Sequence, residues 1–254
     1  MADMRTEEIE GVTWVDCSGC GQMFPVEEWM LEMCENDAFR RCEVCAAKAE
    51  AEERRREDAE RLERLADAAG IPELYRLDRQ TRKPMISPPV PHVARWMWEH
   101  RAANLLLSGR TGVGKSTSAV FCAMRMLAEG KKVRYCNLRR FFSEWRDART
   151  SDDPAGDERF FADIRRLDLL ILDEAADKVK ITESAQEVMY ELLDQIADGE
   201  LRTRLWLLGN FRAGAVDELF GDSEPVYRRL DENFICAGAT PDGITTFRAW
   251  RHKA

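Results

Sequence analysis

The chain has 254 residues, 44% of them hydrophobic and 33% charged, with a formal net charge of −9 at pH 7. That balance excludes a disordered or fibrous protein, and its sign excludes one that coats nucleic acid by bulk electrostatics, which needs clustered Lys and Arg. The longest apolar runs, "NLLL" and "LDLLILD", fall far short of the roughly 20 residues that cross a bilayer, so a cytoplasmic protein without membrane contact is expected.

The first chemistry along the chain is cysteine. "CSGC" (Cys17, Cys20) and "CEVC" (Cys42, Cys45) are two C-x-x-C knuckles separated by 21 residues. Each such turn points two thiolates at one ion, which makes this the layout of a structural four-cysteine zinc site with no open coordination position. Four reduced structural cysteines are the alternative, and Cys34, inside the loop, is a possible substitute ligand. The "MFPVEEW" segment offers Phe24 and Trp29 either as partner-binding surface or as the module's own small core. A charged stretch follows, with Glu50–Arg54, Glu52–Arg56, Glu57–Arg61 and Glu60–Arg64 at i,i+4 spacing, and it reads as a solvated helix ended by Gly70 and Pro72. The expected organisation is therefore a zinc-binding module over 1–49, a helical linker over 50–69 and a larger domain over 70–254. A proline-rich passage, "KPMISPPVPHV", leads from there into a short helix bearing Trp96 and Trp98.

From Asn104 onward strand-like and helix-like segments alternate, the pattern of an α/β fold with a parallel sheet. Strands are expected at "NLLLS", "KVRYCN", "LDLLILD", "RLWLLGN" and "FICAG". Helices are expected after Lys115, after Asn137, around "ESAQEVMYELLDQIA" and near "PVYRRLDE". Between the first strand and helix lies "GRTGVGKST": Gly109, Arg110, Thr111, Gly112, Val113, Gly114, Lys115, Ser116 and Thr117. Its pattern G-x-x-x-x-G-K-[ST] wraps backbone N–H groups around phosphates, brings Lys115 to the β- and γ-phosphates of ATP and offers the Ser116 hydroxyl to Mg²⁺.

"KKVRYCNLRRFFSEWRDART", Lys131 to Thr150, holds seven basic and two acidic residues, a local excess inside an acidic chain. Arg139, Arg140, Arg146 and Arg149 are candidates to track a single-stranded DNA backbone. Phe141, Phe142 and Trp145 recur at helical spacing, which fits core packing better than base stacking.

Farther on, "LLILDE" sets Asp173 and Glu174 at the end of a buried strand, where paired carboxylates are costly without a cation and water nearby. Asp173 suits the Mg²⁺ side and Glu174 the activation of attacking water. Asn210, ending "LWLLGN", suits a contact to the γ-phosphate or that water.

Together with "AAGIPELYR" and "YRRLDENF", these motifs resemble the AAA+ helicase loaders of the DnaC/DnaI type and the closely similar IstB transposition ATPases, over roughly Ala69 to the C-terminus. The resemblance implies a P-loop AAA+ core with a five-stranded parallel sheet and a reduced lid, with "AGIP…Y" near the adenine. It also implies an arginine finger, Arg229, reaching a neighbouring subunit's site in a homo-oligomer, although the doublet leaves Arg228 open. It turns the basic stretch after the second strand toward the oligomer's central channel. The expectation is an ATPase that places a hexameric replicative helicase on single-stranded DNA. Its rivals are an IstB-like ATPase serving a transposase and a zinc-based adaptor with ATP as a switch.

Overall fold

The computed structural model describes residues 4–37, 39–76, 89–150, 155–175, 183–210 and 224–249. The chain divides into two compact units, Met1–Arg61 and Leu62–Ala254.

The first unit opens with an antiparallel sheet of β1 (Thr6–Ile9), β2 (Val12–Asp16) and β3 (Met23–Val26), in that order. A short helix α1 (Leu31–Cys34) follows, and a long helix α2 begins at Glu43 and runs to Ala68, across the unit boundary. The buried core is slight: Val15, Val26 and Cys34, with Met4, Phe24, Met30 and Leu31 packed against it. Phe24 is thus core, as one of the two expectations had it, while the side chain of Trp29 lies outside the described part. Arg40, almost fully buried, ties the loop together through Asp37 at 2.7 Å and Asp16 at 3.6 Å. Along α2 the expected Glu50–Arg54 pair forms at 3.1 Å, whereas Arg56 turns one helical turn forward to Glu60 rather than back to Glu52.

In the second unit the last turns of α2 bury one face. Ala66 is buried, and Leu62 and Leu65 pack beside Ala69 and Ile71 against the core. Arg76 fastens this corner by pairing with Asp67 at 2.6 Å and Glu63 at 3.3 Å. Helix α3 (Pro91–Glu99) precedes a six-stranded sheet of β4 (Asn104–Ser108), β5 (Val133–Asn137), β6 (Leu169–Ala175), β7 (Arg204–Gly209), β8 (Phe234–Thr240) and β9 (Gly243–Thr246), ordered β5-β6-β7-β4-β8-β9. The first five are mutually parallel, as expected, and β9 adds an antiparallel edge. Helices α4 (Lys115–Ala128), α5 (Leu138–Thr150), α6 (Gly156–Arg165), α7 (Glu183–Ala197) and α8 (Glu224–Asn233) supply the crossovers.

Both faces of the sheet are covered, which is why β4 reads as an unbroken apolar run. Side chains alternate between two cores. Leu105, Leu107, Ile171, Trp206 and Leu208 join α3 and α4, whereas Leu106, Leu170, Leu172 and Leu207 join α5, α6, α7 and α8. The proline-rich passage over 83–88 and the tail beyond Ala249 lie outside the described residues. No helix among the described residues is long and apolar enough to cross a membrane.

Candidate nucleotide and metal sites

The strand order decides which residues meet. In register, Ser108 of β4 pairs with Gly209 of β7, Gly209 with Ala175 of β6, and Asp173 of β6 with Asn137 of β5. Their carboxyl ends therefore lie side by side, where parallel α/β sheets hold their ligands. The loop 109–114 leaves β4 at that edge and ends in α4.

Two glycines make the loop possible. At Gly109, with φ +149°, an added Cβ would come within 2.5 Å of the Ala239 carbonyl oxygen, so β8 and the loop cannot both keep their places around a larger residue. Gly114 caps α4 in the left-handed region, φ +82°, and an added Cβ would collide with Val90. The first N–H groups of α4 are thereby free of side-chain caps and face the loop, the ordinary anion cradle of a helix N-terminus.

Lys115 is buried, with 5% of its surface exposed. Its ammonium donates to the carbonyl oxygens of Gly109 at 2.8 Å and Arg110 at 3.0 Å and to Asn210 Oδ1 at 2.9 Å. Burial draws it down to about 8, opposed by the negative charge of Asp173. The expected Lys115 and Asn210 thus meet directly, 95 residues apart in sequence.

Asp173 and Glu174 occupy an irregularity where the β6–β7 register shifts between Leu172 and Ala175. Glu174 has φ +58°, unusual for a residue with a side chain, and strain of this kind concentrates at functional sites. The bulge sends the two carboxylates different ways. Asp173 stays buried, its Oδ1 accepting the Glu174 backbone N–H at 2.7 Å and its Oδ2 accepting the Tyr135 hydroxyl. Glu174 is exposed and accepts a hydrogen bond from the Asn137 side-chain amide. Sequence reading missed Asn137 and Tyr135, and named Tyr75 only through the resemblance, as a residue near the adenine. The only signal was a polar residue ending an apolar strand, and nothing local says which strand lies beside the Asp–Glu pair.

Ser116 Oγ and the Asp173 carboxylate are hard oxygen donors, the set that suits Mg²⁺.

Arg229 is not in this group. On α8 it pairs with Asp194 of α7 and lies 5.9 Å from the Tyr190 ring centroid. Its neighbour Arg228 is exposed and holds Glu232 at 2.8 Å.

In the basic stretch, Phe141, Phe142 and Trp145 are core residues, so they are unavailable for base stacking. Their burial turns Arg139, Arg140, Arg146 and Arg149 outward on α5. Arg140 pairs with Glu144 at 2.8 Å, and Arg149 with Glu187 at 3.2 Å.

In the first unit the sulfurs of Cys17, Cys20, Cys42 and Cys45 all lie within 4.8 Å of one another, and Cys20 and Cys42 are 3.8 Å apart. A tetrahedron with Zn–S bonds of about 2.3 Å has edges of about 3.8 Å, so the set fits zinc. Burial pushes the Cys17 thiol up, but backbone N–H groups of Cys42, Gly19 and Cys20 outweigh it and lower the group to about 6. Cys45, crowded by the sulfurs of Cys20, Cys42 and Cys17, is pushed up to about 12. Such crowding keeps four thiolates from coexisting unless a cation joins them. Cys34 stands apart in the apolar core and is not a ligand of this cluster.

A family model for IstB-like ATP binding proteins matches residues 43–224. No curated protein matches the sequence significantly. Among solved structures, the DnaC helicase loader aligns with a TM-score of 0.50 at 13% identity, over 66% of this chain and 100% of that one. DnaI aligns with a TM-score of 0.41 at 15% identity, over 58% of this chain and 81% of that one. AMPPCP-bound DnaA from Aquifex aeolicus aligns with a TM-score of 0.46 at 16% identity, over 59% of this chain and 44% of that one, less than half of DnaA's length.

Proposed function

Because the chain belongs to the family of IstB-like ATP binding proteins, we propose that it hydrolyses ATP and uses the cycle to place a hexameric replicative helicase on single-stranded DNA. The observation that carries hydrolysis, beyond binding, is the exposed and strained Glu174 at the same sheet edge as the loop that holds Lys115.

Lys115 neutralises the β- and γ-phosphate oxygens, exchanging some of its three protein acceptors for them, while the α4 N–H groups cradle the phosphate chain. Ser116 and Asp173 would hold Mg²⁺, which when bound supplies further charge neutralisation on those oxygens. Glu174 accepts the proton of the attacking water or orients it, once Asn137 releases its carboxylate. Asn210, already on the Lys115 ammonium, hydrogen-bonds the γ-phosphate or that water in this reading. Arg229 acts in trans, and to do so must exchange Asp194 for the γ-phosphate of a neighbour. The active form is therefore a homo-oligomer.

The loader reading draws support from the DnaC helicase loader, whose whole chain is matched, and from a separate cysteine module suited to contacting a partner. Residues 1–49 are the zinc-binding module in this reading, 50–69 the helical linker and 70–254 the ATPase. The family match favours a second reading, an ATPase serving a transposase on duplex DNA. Affinity capture from the native cell followed by mass spectrometry separates them: the loader reading expects a replicative helicase, and recovery of a transposase with no helicase would overturn it.

The outward arginines of α5 are the proposed DNA contacts. Replacing Arg139, Arg140 and Arg146 with Ala is expected to weaken single-strand binding and to reduce the slope of log affinity against log salt by about two, at roughly 0.7 for each phosphate no longer neutralised. Nucleotide affinity should stay nearly constant. Unaltered DNA binding by the triple variant would place the DNA surface elsewhere.

A further inference from the structure

Tyr135 makes two connections that no motif requires of it. Its backbone N–H donates to the Ala69 carbonyl oxygen at 2.7 Å, joining β5 to the segment after α2, and its hydroxyl donates to Asp173 Oδ2. The ring is 5% exposed, and burial together with the Asp173 charge raises the hydroxyl far above its ordinary range. With Oδ1 held by the Glu174 N–H, both oxygens of Asp173 are fixed, and each keeps a lone pair in a set direction.

Tyr75 lies on the same segment as Ala69. Its ring is 6.3 Å from that of Tyr135, and it lies within the field of Asp173 and Glu174. Tyr135 thus holds one of the two oxygen donors that suit Mg²⁺, with Tyr75 beside it. Backbone bonds tether the segment carrying Tyr75: Tyr75 N–H to Pro72 at 3.1 Å, and Ala69 to Tyr135.

We propose that Tyr135 is a positioning residue for the Mg²⁺ of the nucleotide, aiming the Asp173 carboxylate at the ion. This rests on the nucleotide-site reading above and adds to it a residue that touches neither phosphate nor metal. Partners of this kind fix the orientation and basicity of ligating groups, and their loss typically costs roughly 10–100-fold in metal affinity. A tyrosine that served packing alone would have no preference for the metal-bound nucleotide.

The test is the affinity of full-length protein for a fluorescent ATP analogue, measured with Mg²⁺ and again in EDTA, alongside a thermal melt. Wild-type protein is expected to bind more tightly with Mg²⁺. In Tyr135→Phe that Mg²⁺ gain should fall about tenfold or more while the affinity in EDTA stays within about twofold. Tyr75→Phe, which removes no bond to either oxygen donor, is the packing control and should keep the gain within about twofold of wild type. An unchanged Mg²⁺ gain in a folded Tyr135→Phe, or equal losses in both media, overturns the proposal. If Tyr135→Phe fails to fold, an unchanged gain in a folded Tyr135→Met overturns it instead. Wild-type protein that binds the analogue in neither medium would refute the nucleotide site itself, a result distinct from an intact site indifferent to Tyr135.

Discussion

Removing the metal from the first unit should unfold it. Cys42→Ser, or chelation of the wild-type protein, is expected to abolish structure before about residue 50, because the module's buried core amounts to Val15, Val26 and Cys34. Burial of so few side chains contributes a few kcal/mol, at roughly 1.5–3 kcal/mol each, against an ordering cost of about 1–2 kcal/mol for every residue fixed. Structural zinc supplies roughly 10–16 kcal/mol, enough to reverse that balance. ATP binding should persist, since the loop and its neighbours belong to the second unit, with separate cores on both faces of its sheet. Elemental analysis and limited proteolysis check this. Wild-type protein without stoichiometric zinc, yet protease-resistant before residue 50, would contradict it.

Lys115→Ala and Arg229→Ala should each be nearly inactive alone and recover turnover when mixed. A guanidinium supplied to the γ-phosphate contributes roughly 10³–10⁵ in rate, so loss of Arg229 is about as damaging as loss of the loop lysine. In a mixed oligomer, an Arg229→Ala subunit keeps its phosphate loop and can receive a finger from a Lys115→Ala neighbour, so some interfaces become whole. In an isolated subunit Asp194 holds this partly exposed cation, and a neighbour's γ-phosphate would have to compete for it. Mixed oligomers that demonstrably form yet hydrolyse no faster than either variant would remove Arg229 from the role and direct the same test to Arg228.

The parallel core was legible because buried strands announce themselves: "NLLLS" and "RLWLLG" are apolar on both faces, and the glycine pattern sits between a strand and a helix. The small elements were not. Every residue of β1, "TEEI", is exposed, and β9, "GITT", has one large apolar residue, so neither shows the alternation of a half-buried strand. Helix α6 carried a signal in Phe160, Phe161 and Ile164, all buried, but charged neighbours hid it within what reads as a loop. At the site, Lys115, Ser116 and Asp173 could be named from local pattern because their chemistry depends on spacing along the chain. Asn137 and Tyr135 could not, since their contacts to Glu174 and Asp173 depend on β5 lying beside β6. Strand order is a property of the folded sheet.

The central claim is that this site turns ATP over and does not merely bind it. Steady-state hydrolysis by oligomeric wild-type protein and by Glu174→Gln, in Mg²⁺ and with single-stranded DNA present, tests it most directly. The account predicts measurable wild-type turnover that falls by roughly 10²–10⁴-fold in Glu174→Gln, with ATP affinity retained. Tight ATP binding with no wild-type turnover, or turnover untouched by Glu174→Gln, would contradict it and leave a nucleotide-switched adaptor as the better description.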